Sequence, residues 1–365
     1  MSAKSSQRNY GIDLLRMVSM FFVTVLHTLG QGGILSASGF LTPSYETAWF
    51  LEIAAYCAVN CYALISGYVT FGTSFKWHRI ASLWFQVVFY TLGITWLFSL
   101  FSPDLVTQDS WLKAIFPVAH KQYWYFTAYF CMFFFTPFFN MLVESLDSRK
   151  ASMLISTIIV VFSVYPTFSQ ADLFGTGGGY SMLWLSALYL IGACIKKFQM
   201  QEYLKPWISF AAYFGCVFFT WAFKLIAERQ SLAVSGNFFL HYTSPTILFA
   251  GIFLLLAFAR LSIRKNAAVS AIRLFSPSAF SVYIIHVQSL VWTCFMKGRF
   301  VSYAKEPPLI LFGLVLATAF GIYILCSCVD LVRRWVFKNL PHNMIRHCAK
   351  TFPDFFFAQT IWERK

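Results

Sequence analysis

Three ionisable side chains lie in the first apolar run of the chain: Asp13, Arg16 and His27. Inside a helix that crosses a membrane such groups cost several kcal/mol unless they are paired or face a polar cavity, so each is a functional candidate. Arg16 and His27 are separated by about 1,100° of rotation and about 16 Å of rise, which places them on one helix face. Asp13 is close enough to pair with Arg16. Snorkelling would also explain Arg16, and a helix-packing hydrogen bond would explain His27.

A second histidine, His286, lies in a distant apolar run, with Tyr283 on the same helix face. Both histidines are expected near the middle of the membrane, where they can line one cavity. Neutral imidazole accepts a proton near neutral pH, which suits a general base. A zinc site would need a third protein ligand, and the clear intramembrane carboxylate is Glu52, near the outer end of the second run. We therefore predict no metal.

A basic group follows the second apolar run. The sequence Ile65-Ser66-Gly67-Tyr68 leads into a loop with Lys76, His78 and Arg79. Together with Arg16, these cations can form a cytoplasmic pocket for an anionic donor that carries phosphates. A loop that only obeys the positive-inside rule would look the same.

The composition defines the elements that must position these residues. Of 365 residues, 58% are hydrophobic and 12% are charged, whereas soluble domains carry about a quarter charged residues. The apolar residues come in runs of about 20, which is the length of a membrane-crossing helix, without the alternation of a β-barrel. We predict an all-α, polytopic membrane protein with about ten transmembrane helices. The predicted spans are 13–34, 47–70, 80–101, 123–143, 151–168, 181–195, 207–227, 239–259, 274–296 and 308–332.

The net charge of +14 comes from 28 Lys and Arg, most of which fall in the N-terminal segment, the even-numbered loops and the C-terminal tail. This asymmetry predicts that both termini are cytoplasmic, and it makes nucleic-acid binding an unnecessary explanation of the charge. The first run lacks a signal-peptide cleavage site and is expected to stay as a helix. The nine cysteines are expected to be reduced packing residues.

The chain is expected to form one membrane domain, residues 1–335, followed by a basic, aromatic cytoplasmic tail, residues 336–365, suited to an anionic lipid interface. The longest outer connections are 102–122 and 166–180. The second contains four glycines, which make it flexible. A flexible outer loop can admit an acceptor or serve as a plain connector, and glycine alone does not separate the two.

The ordered motifs resemble those of the acyltransferase type 3 membrane family. Arg16-x(10)-His27 and the segment from Ile65 to Arg79 are followed by Tyr123-Trp124-Tyr125-Phe126 with Pro137, by Leu190-Ile191-Gly192-Ala193 and by Tyr283-Ile284-Ile285-His286. The resemblance implies a ten-helix core that moves an acyl group, commonly acetyl, from cytoplasmic acyl-CoA to a hydroxyl of a cell-envelope carbohydrate. It implies an essential catalytic role for His27 and a supporting one for Arg16.

The resemblance also implies donor contacts by Lys76 and Arg79, beside Ser66. The family often has two arginines in this motif, so Lys76 is a departure that weakens bidentate phosphate binding. Some relatives carry an extra helix and an extracytoplasmic esterase-like domain. This chain stops before either, and we expect it to act alone or to pass its acyl group to a separate protein.

On this interpretation acetyl-CoA is a co-substrate, no cofactor is permanently bound, and the partners are membrane lipids and a carbohydrate acceptor. The expected location is the bacterial inner membrane or plasma membrane. Glu52 and the aromatic residues Tyr123, Trp124 and Tyr125 would face the acceptor, although Trp and Tyr also collect at membrane interfaces. The alternatives are a transporter or flippase of lipid-linked saccharides, disfavoured because no internal repeat is evident, and a lipid-binding sensor, which would leave the buried polar residues without a use.

Overall fold

The computed structural model describes residues 8–264 and 266–339, and within these ranges every regular element is helical. The first nine α-helices are α1 Tyr10–Leu29, α2 Ile34–Ala37, α3 Pro43–Ala55, α4 Ala58–Thr70, α5 Trp77–Phe101, α6 Gln108–Ile115, α7 Trp124–Phe133, α8 Thr136–Ser145 and α9 Ser148–Ile159. The remaining eight are α10 Tyr165–Ser169, α11 Met182–Lys197, α12 Pro206–Arg229, α13 Pro245–Ala259, α14 Asn266–Phe275, α15 Ala279–Val287, α16 Ser289–Val291 and α17 Pro308–Asn339. The predicted all-α class is confirmed.

Seven helical segments within the described ranges are long and apolar enough to cross a membrane, or eight when the bent pair α7–α8 is taken as one span. The chain is therefore a polytopic membrane protein. Two further predicted spans, 181–195 and 239–259, coincide with α11 and α13, which have only 16 and 15 residues. The count of ten spans stays a prediction, as does the cytoplasmic placement of both termini.

Two predicted spans are broken in the structure. The helices α7 and α8, which replace the predicted span 123–143, are bent by 59°. Pro137 lies in the first turn of α8, where its missing N–H and its ring prevent α7 from continuing. The predicted span 274–296 is also wrong as one helix, because the long apolar segment ends at Val287 and Gln288 has an extended backbone, with φ −58° and ψ 134°. Irregular backbone within a membrane protein is tolerated where protein groups satisfy it.

The side chain of Gln288 provides hydrogen bonds to the backbone at this break. Its Oε1 atom accepts hydrogen bonds from the backbone N–H groups of Leu290 and Val291, and its Nε2 atom donates to Thr95 Oγ1 on α5. Gln288 thus ends one helix, caps the next and ties the break to α5.

Helix α1 lies at the centre of the bundle, in contact with α3, α4, α13, α15 and α17. It begins at Asn9, whose side chain accepts hydrogen bonds from the N–H groups of Gly11 and Ile12. Leu15 belongs to one large apolar cluster and Leu26 to a second. Tyr56 and Tyr125 pack against both clusters. The helix that carries Arg16 and His27 is therefore held rigidly from several sides.

The helices α4 and α11 pack in close contact. A Cβ atom on Gly67 would lie 1.9 Å from the carbonyl oxygen of Tyr189, and one on Gly192 would lie 2.1 Å from that of Leu64. The two backbones can approach this closely only because both positions are glycine. The contact also fixes Tyr68 and the start of the basic loop.

The predicted boundary at 335 falls inside α17, which continues to Asn339. The rest of the predicted tail, residues 340–365, lies outside the described residues. The eight cysteines that the structure describes are all free thiols.

Candidate active site

His27 and His286 meet through their side chains. The Nδ1 atom of His27 lies 2.8 Å from the Nε2 atom of His286, and the ring centroids are 5.1 Å apart. His27 lies in the last turn of α1 and His286 in the last turn of α15. The two histidines that were predicted to line one cavity are thus in direct contact. Both lie near helix ends: α1 ends two residues after His27, and α15 ends one residue after His286.

The surroundings of His286 determine where the protons lie. Its Nδ1 atom is 2.5 Å from the carbonyl oxygen of Val282, which can only accept, so Nδ1 carries the hydrogen. In neutral His286 the Nε2 atom is then a lone-pair acceptor, and it must receive the hydrogen bond from Nδ1–H of His27. Neutral His27 therefore has its lone pair on Nε2. This arrangement leaves that atom available as a base or nucleophile.

Trp292 covers His27 from the side, with its ring in an edge-to-face contact at a centroid distance of 4.9 Å. It lies in the π-helical turn Trp292–Met296, after the break at Gln288. Sequence analysis missed Trp292, because an uninterrupted span gave no sign that the chain turns back toward His27. A bulky ring on one side limits the directions from which a substrate can reach the imidazole.

Arg16 is paired with Asp13 as predicted, at 3.0 Å. The other carboxylate oxygen of Asp13 accepts from Arg8 at 2.5 Å. Two guanidinium groups thus share one buried carboxylate, which leaves a net positive charge at this end of α1. The Tyr62 hydroxyl donates to the backbone carbonyl of Arg16 and joins α4 to the same turn.

A series of tyrosine rings connects the level of Arg16 with the histidine pair. Tyr62 contacts Tyr125 at 6.2 Å between centroids, Tyr125 contacts Tyr283 at 6.4 Å, and Tyr283 contacts His286 at 6.4 Å. The hydroxyl of Tyr283 is buried and has no hydrogen-bond partner among the described residues. An unpartnered hydroxyl beside the histidines is a group that a bound substrate can satisfy.

Lys76 and Arg79 line a cavity of about 200 Å³ at the start of α5, together with Thr70, Asn140 and Glu144. Ser66 lies one turn deeper, where its hydroxyl donates to the carbonyl of Tyr62. Tyr129 lies between Arg16 and the cavity. Its hydroxyl interacts with Ser66 and lies within electrostatic range of Arg16 and Arg79. The structure therefore brings Lys76 and Arg79 together at one cavity, whereas Arg16, His78 and Ser66 are not among its lining residues.

The four predicted acceptor-side residues separate into different surroundings. Tyr123 is 1% exposed, and its hydroxyl donates to the carbonyl of Ile284, so it supports the helix of His286. Tyr125 belongs to the series of tyrosine rings described above. Trp124 instead stacks with Tyr242 and makes a tilted ring contact with Tyr180. Glu52 is 8% exposed, and its Oε2 atom has no hydrogen-bond partner among the described residues.

Sequence analysis also missed Asp330, which is fully buried on α17. Its Oδ1 atom accepts from the hydroxyls of Tyr90 and Ser281 and from Arg333. Because Ser281 lies on α15, this network fixes the helix that carries His286. The signal was present in the sequence, as a carboxylate inside the last predicted span.

The loop with four glycines, predicted to lie on the outer side, has a defined conformation. Gly175, Gly177, Gly178 and Gly179 all have positive φ, which explains the choice of glycine. Asp172 accepts hydrogen bonds from the N–H groups of Thr176 and Gly177 and from the Thr176 hydroxyl. Partial burial would raise the pKa of Asp172, but these hydrogen bonds outweigh it and lower the pKa below its ordinary value.

Replacing Asp172 with alanine is expected to speed amide hydrogen exchange in residues 172–180 by about tenfold at pH 7, because the loop loses three hydrogen bonds to a carboxylate. Since the folded pKa is lowered, the stabilisation is complete above the ordinary Asp pKa of about 3.9 and is lost as the pH falls through the folded pKa. The difference in protection between wild type and variant should therefore disappear in acid. Exchange measured by mass spectrometry checks this, with Asp147→Ala as the control; equal protection at pH 7 would contradict it.

Within the described ranges, no group of three His, Cys, Asp or Glu side chains is placed to hold a metal ion.

Comparison with known proteins identifies the family of the chain. The family model of the acyltransferase domain matches residues 9–326, which include Arg16, His27, Lys76, Arg79 and His286. Searches of curated proteins and of solved structures give no significant match. Because the family match covers nearly the whole chain, this protein belongs to the acyltransferase type 3 family of membrane acyltransferases.

Proposed function

We propose that this protein transfers an acetyl group from acetyl-CoA to a hydroxyl of a cell-envelope polysaccharide or lipid-linked sugar, in the cell membrane, with His27 as the catalytic residue. One observation supports this most directly. The hydrogen bonds from His27 to His286 and from His286 to Val282 leave the Nε2 lone pair of His27 free inside a protein site.

In direct transfer, Nε2 of His27 takes the proton of the acceptor hydroxyl while its oxygen attacks the thioester carbonyl. The carbon–sulfur bond then breaks, and the CoA thiolate recovers the proton from the His27 imidazolium. His286 acts as a positioning residue, because its Nε2 atom holds the His27 tautomer that has the reactive lone pair and stabilises the imidazolium that forms.

A covalent route uses the same nitrogen. His27 Nε2 attacks the thioester, CoA leaves as the thiolate, and the acetyl group stays on the imidazole until the acceptor hydroxyl attacks it. Both routes require a free Nε2 atom and a fixed ring.

The donor would enter where Lys76 and Arg79 line their cavity. Phosphate groups of CoA suit these cations and the net charge at Arg16. From Arg16 to His27 the rise along α1 is about 16 Å. The long, flexible arm of CoA would span this distance and place its thioester at His27. The tyrosine rings between the two levels would line its path.

The experiment that tests the donor is binding and hydrolysis of acetyl-CoA by the purified protein in nanodiscs. We expect binding and slow turnover. A folded preparation that neither binds nor hydrolyses acetyl-CoA would contradict the proposed donor, and transport of lipid-linked saccharides would then be measured next.

Arg79→Met is expected to raise the Kd for acetyl-CoA roughly tenfold or more, because a hydrogen bond between two charged groups contributes about 1.5–3 kcal/mol. Lys76→Met should do the same, whereas Lys76→Arg should keep or strengthen binding. Isothermal titration at two salt concentrations measures this, with Lys113→Met on α6 as the matched control. Unchanged affinity in both methionine variants would place the phosphates elsewhere.

A further inference from the structure

Four aromatic side chains from separate parts of the chain meet near the predicted outer face. Tyr180 lies 4.5 Å from Trp124 and 5.0 Å from Tyr242 between ring centroids, and Tyr242 lies 4.9 Å from Tyr56. We call this group the outer aromatic cluster, made of Tyr56, Trp124, Tyr180 and Tyr242. Tyr180 is 52% exposed, whereas Tyr242 is 7% exposed. The cluster therefore extends from the surface into the protein.

Glu52 lies beside this cluster. Its carboxylate is within electrostatic range of Tyr56 and Tyr242. Although the residue is 8% exposed, its Oε2 atom has no hydrogen-bond partner in the described part of the chain. A buried carboxylate oxygen without a donor is costly, so this geometry favours a ligand that brings a donor with it.

The glycine-rich loop forms one wall of the cluster. Gly179 has φ +106°, and a Cβ atom there would lie 2.3 Å from Cβ of Tyr242. Its backbone can therefore press against Tyr242 only as glycine, and this contact carries the next residue, Tyr180, over Trp124. Asp172 holds the loop in place. The position of Tyr180 is thus built into the fold.

The cluster is also connected to the histidine pair. Trp124 contacts Tyr125, the ring of Tyr125 contacts Tyr283, and Tyr283 contacts His286. A ligand that rests on the cluster would have one end directed toward the groups that the proposed chemistry uses.

We propose that the outer aromatic cluster and Glu52 form a subsite for one neutral sugar ring of the acceptor, an inference that rests on the proposed function. A sugar ring has apolar C–H faces, which stack on aromatic side chains, and a rim of hydroxyl groups, which donate to a carboxylate. Three of the four rings are tyrosines, whose hydroxyls add hydrogen bonds that a hydroxyl-rich ligand uses and a quaternary cation does not.

The test compares two reactions of the same protein. Hydrolysis of acetyl-CoA is measured in nanodiscs, and transfer of labelled acetyl groups is measured in membranes of the source cells that lack the chromosomal copy. For Glu52→Gln and Tyr180→Ala we expect hydrolysis within about twofold of wild type and transfer at least tenfold lower, with a raised KM for the acceptor. Glu306→Gln and Tyr165→Ala are the matched controls. Tyr180→Trp, which keeps a ring, should restore transfer.

Wild-type transfer rates in both Glu52→Gln and Tyr180→Ala would overturn the subsite. If wild type hydrolyses acetyl-CoA but labels no carbohydrate, the acceptor class is wrong while the donor chemistry stands. If wild type neither binds nor hydrolyses acetyl-CoA, the proposed function fails, and direct binding of de-O-acetylated envelope oligosaccharides by saturation-transfer NMR decides the subsite. Binding that both variants lose would support it, and no binding would overturn it.

Discussion

Replacing His27 with alanine is expected to lower acetyl-CoA turnover and acetyl transfer by about a thousandfold, because general-base catalysis contributes about 10²–10⁴ in rate. The lone pair that remains, on Nε2 of His286, meets the Nδ1 position of the removed ring and not its Nε2 position. The Kd for acetyl-CoA should stay within about threefold, since the proposed phosphate contacts are made by Lys76 and Arg79, in a cavity that His27 does not line. Single-turnover kinetics and equilibrium binding on the same preparation measure the two effects separately.

The matched control is His120→Ala, an exposed histidine in the loop between α6 and α7, which should keep wild-type turnover. Retention of more than about a tenth of the activity by His27→Ala would contradict a direct catalytic role. A parallel loss of binding and turnover would instead indicate that His27 supports the structure or the donor site.

Replacing Gly67 with alanine is expected to prevent most of the protein from folding, or to lower its free energy of unfolding by about 3 kcal/mol or more. A Cβ atom at 1.9 Å from the Tyr189 carbonyl oxygen cannot be accommodated unless α4 and α11 move apart, because the obstacle is backbone and not a flexible side chain. Overpacking a close contact typically costs about 1–3 kcal/mol, and more where backbones must separate. Gly192→Ala should behave in the same way, since its Cβ would meet the Leu64 carbonyl.

The measurement is the yield of monodisperse protein and its thermal midpoint in detergent. Gly93→Ala is the control, because a Cβ atom at Gly93 on α5 meets nothing within 4 Å and alanine favours a helix over glycine. We expect Gly93→Ala to match or exceed the wild-type midpoint. Equal midpoints for Gly67→Ala and Gly93→Ala would show that α4 and α11 do not pack as described.

The sequence by itself determined the class of the protein and the relations within single helices. Runs of about 20 apolar residues predicted a polytopic helical membrane protein. The fixed rotation and rise of a helix predicted that Asp13 pairs with Arg16 and that Arg16 and His27 share a face. The cost of burying polar groups in a membrane selected His27 and His286 as candidates before their contact was known.

Only the tertiary structure showed the contacts between helices. These contacts depend on how one helix is rotated against another and on where helices break. The proton positions of the histidine pair follow from its geometry with Val282, and the contact of Trp292 with His27 depends on the break at Gln288. That break is stabilised partly by Gln288 itself and partly by Thr95 on another helix. The outer aromatic cluster joins residues from four separate segments. Hydrophobic periodicity identifies which face of a helix is buried but not which neighbour it meets, so these contacts were accessible only from the folded chain.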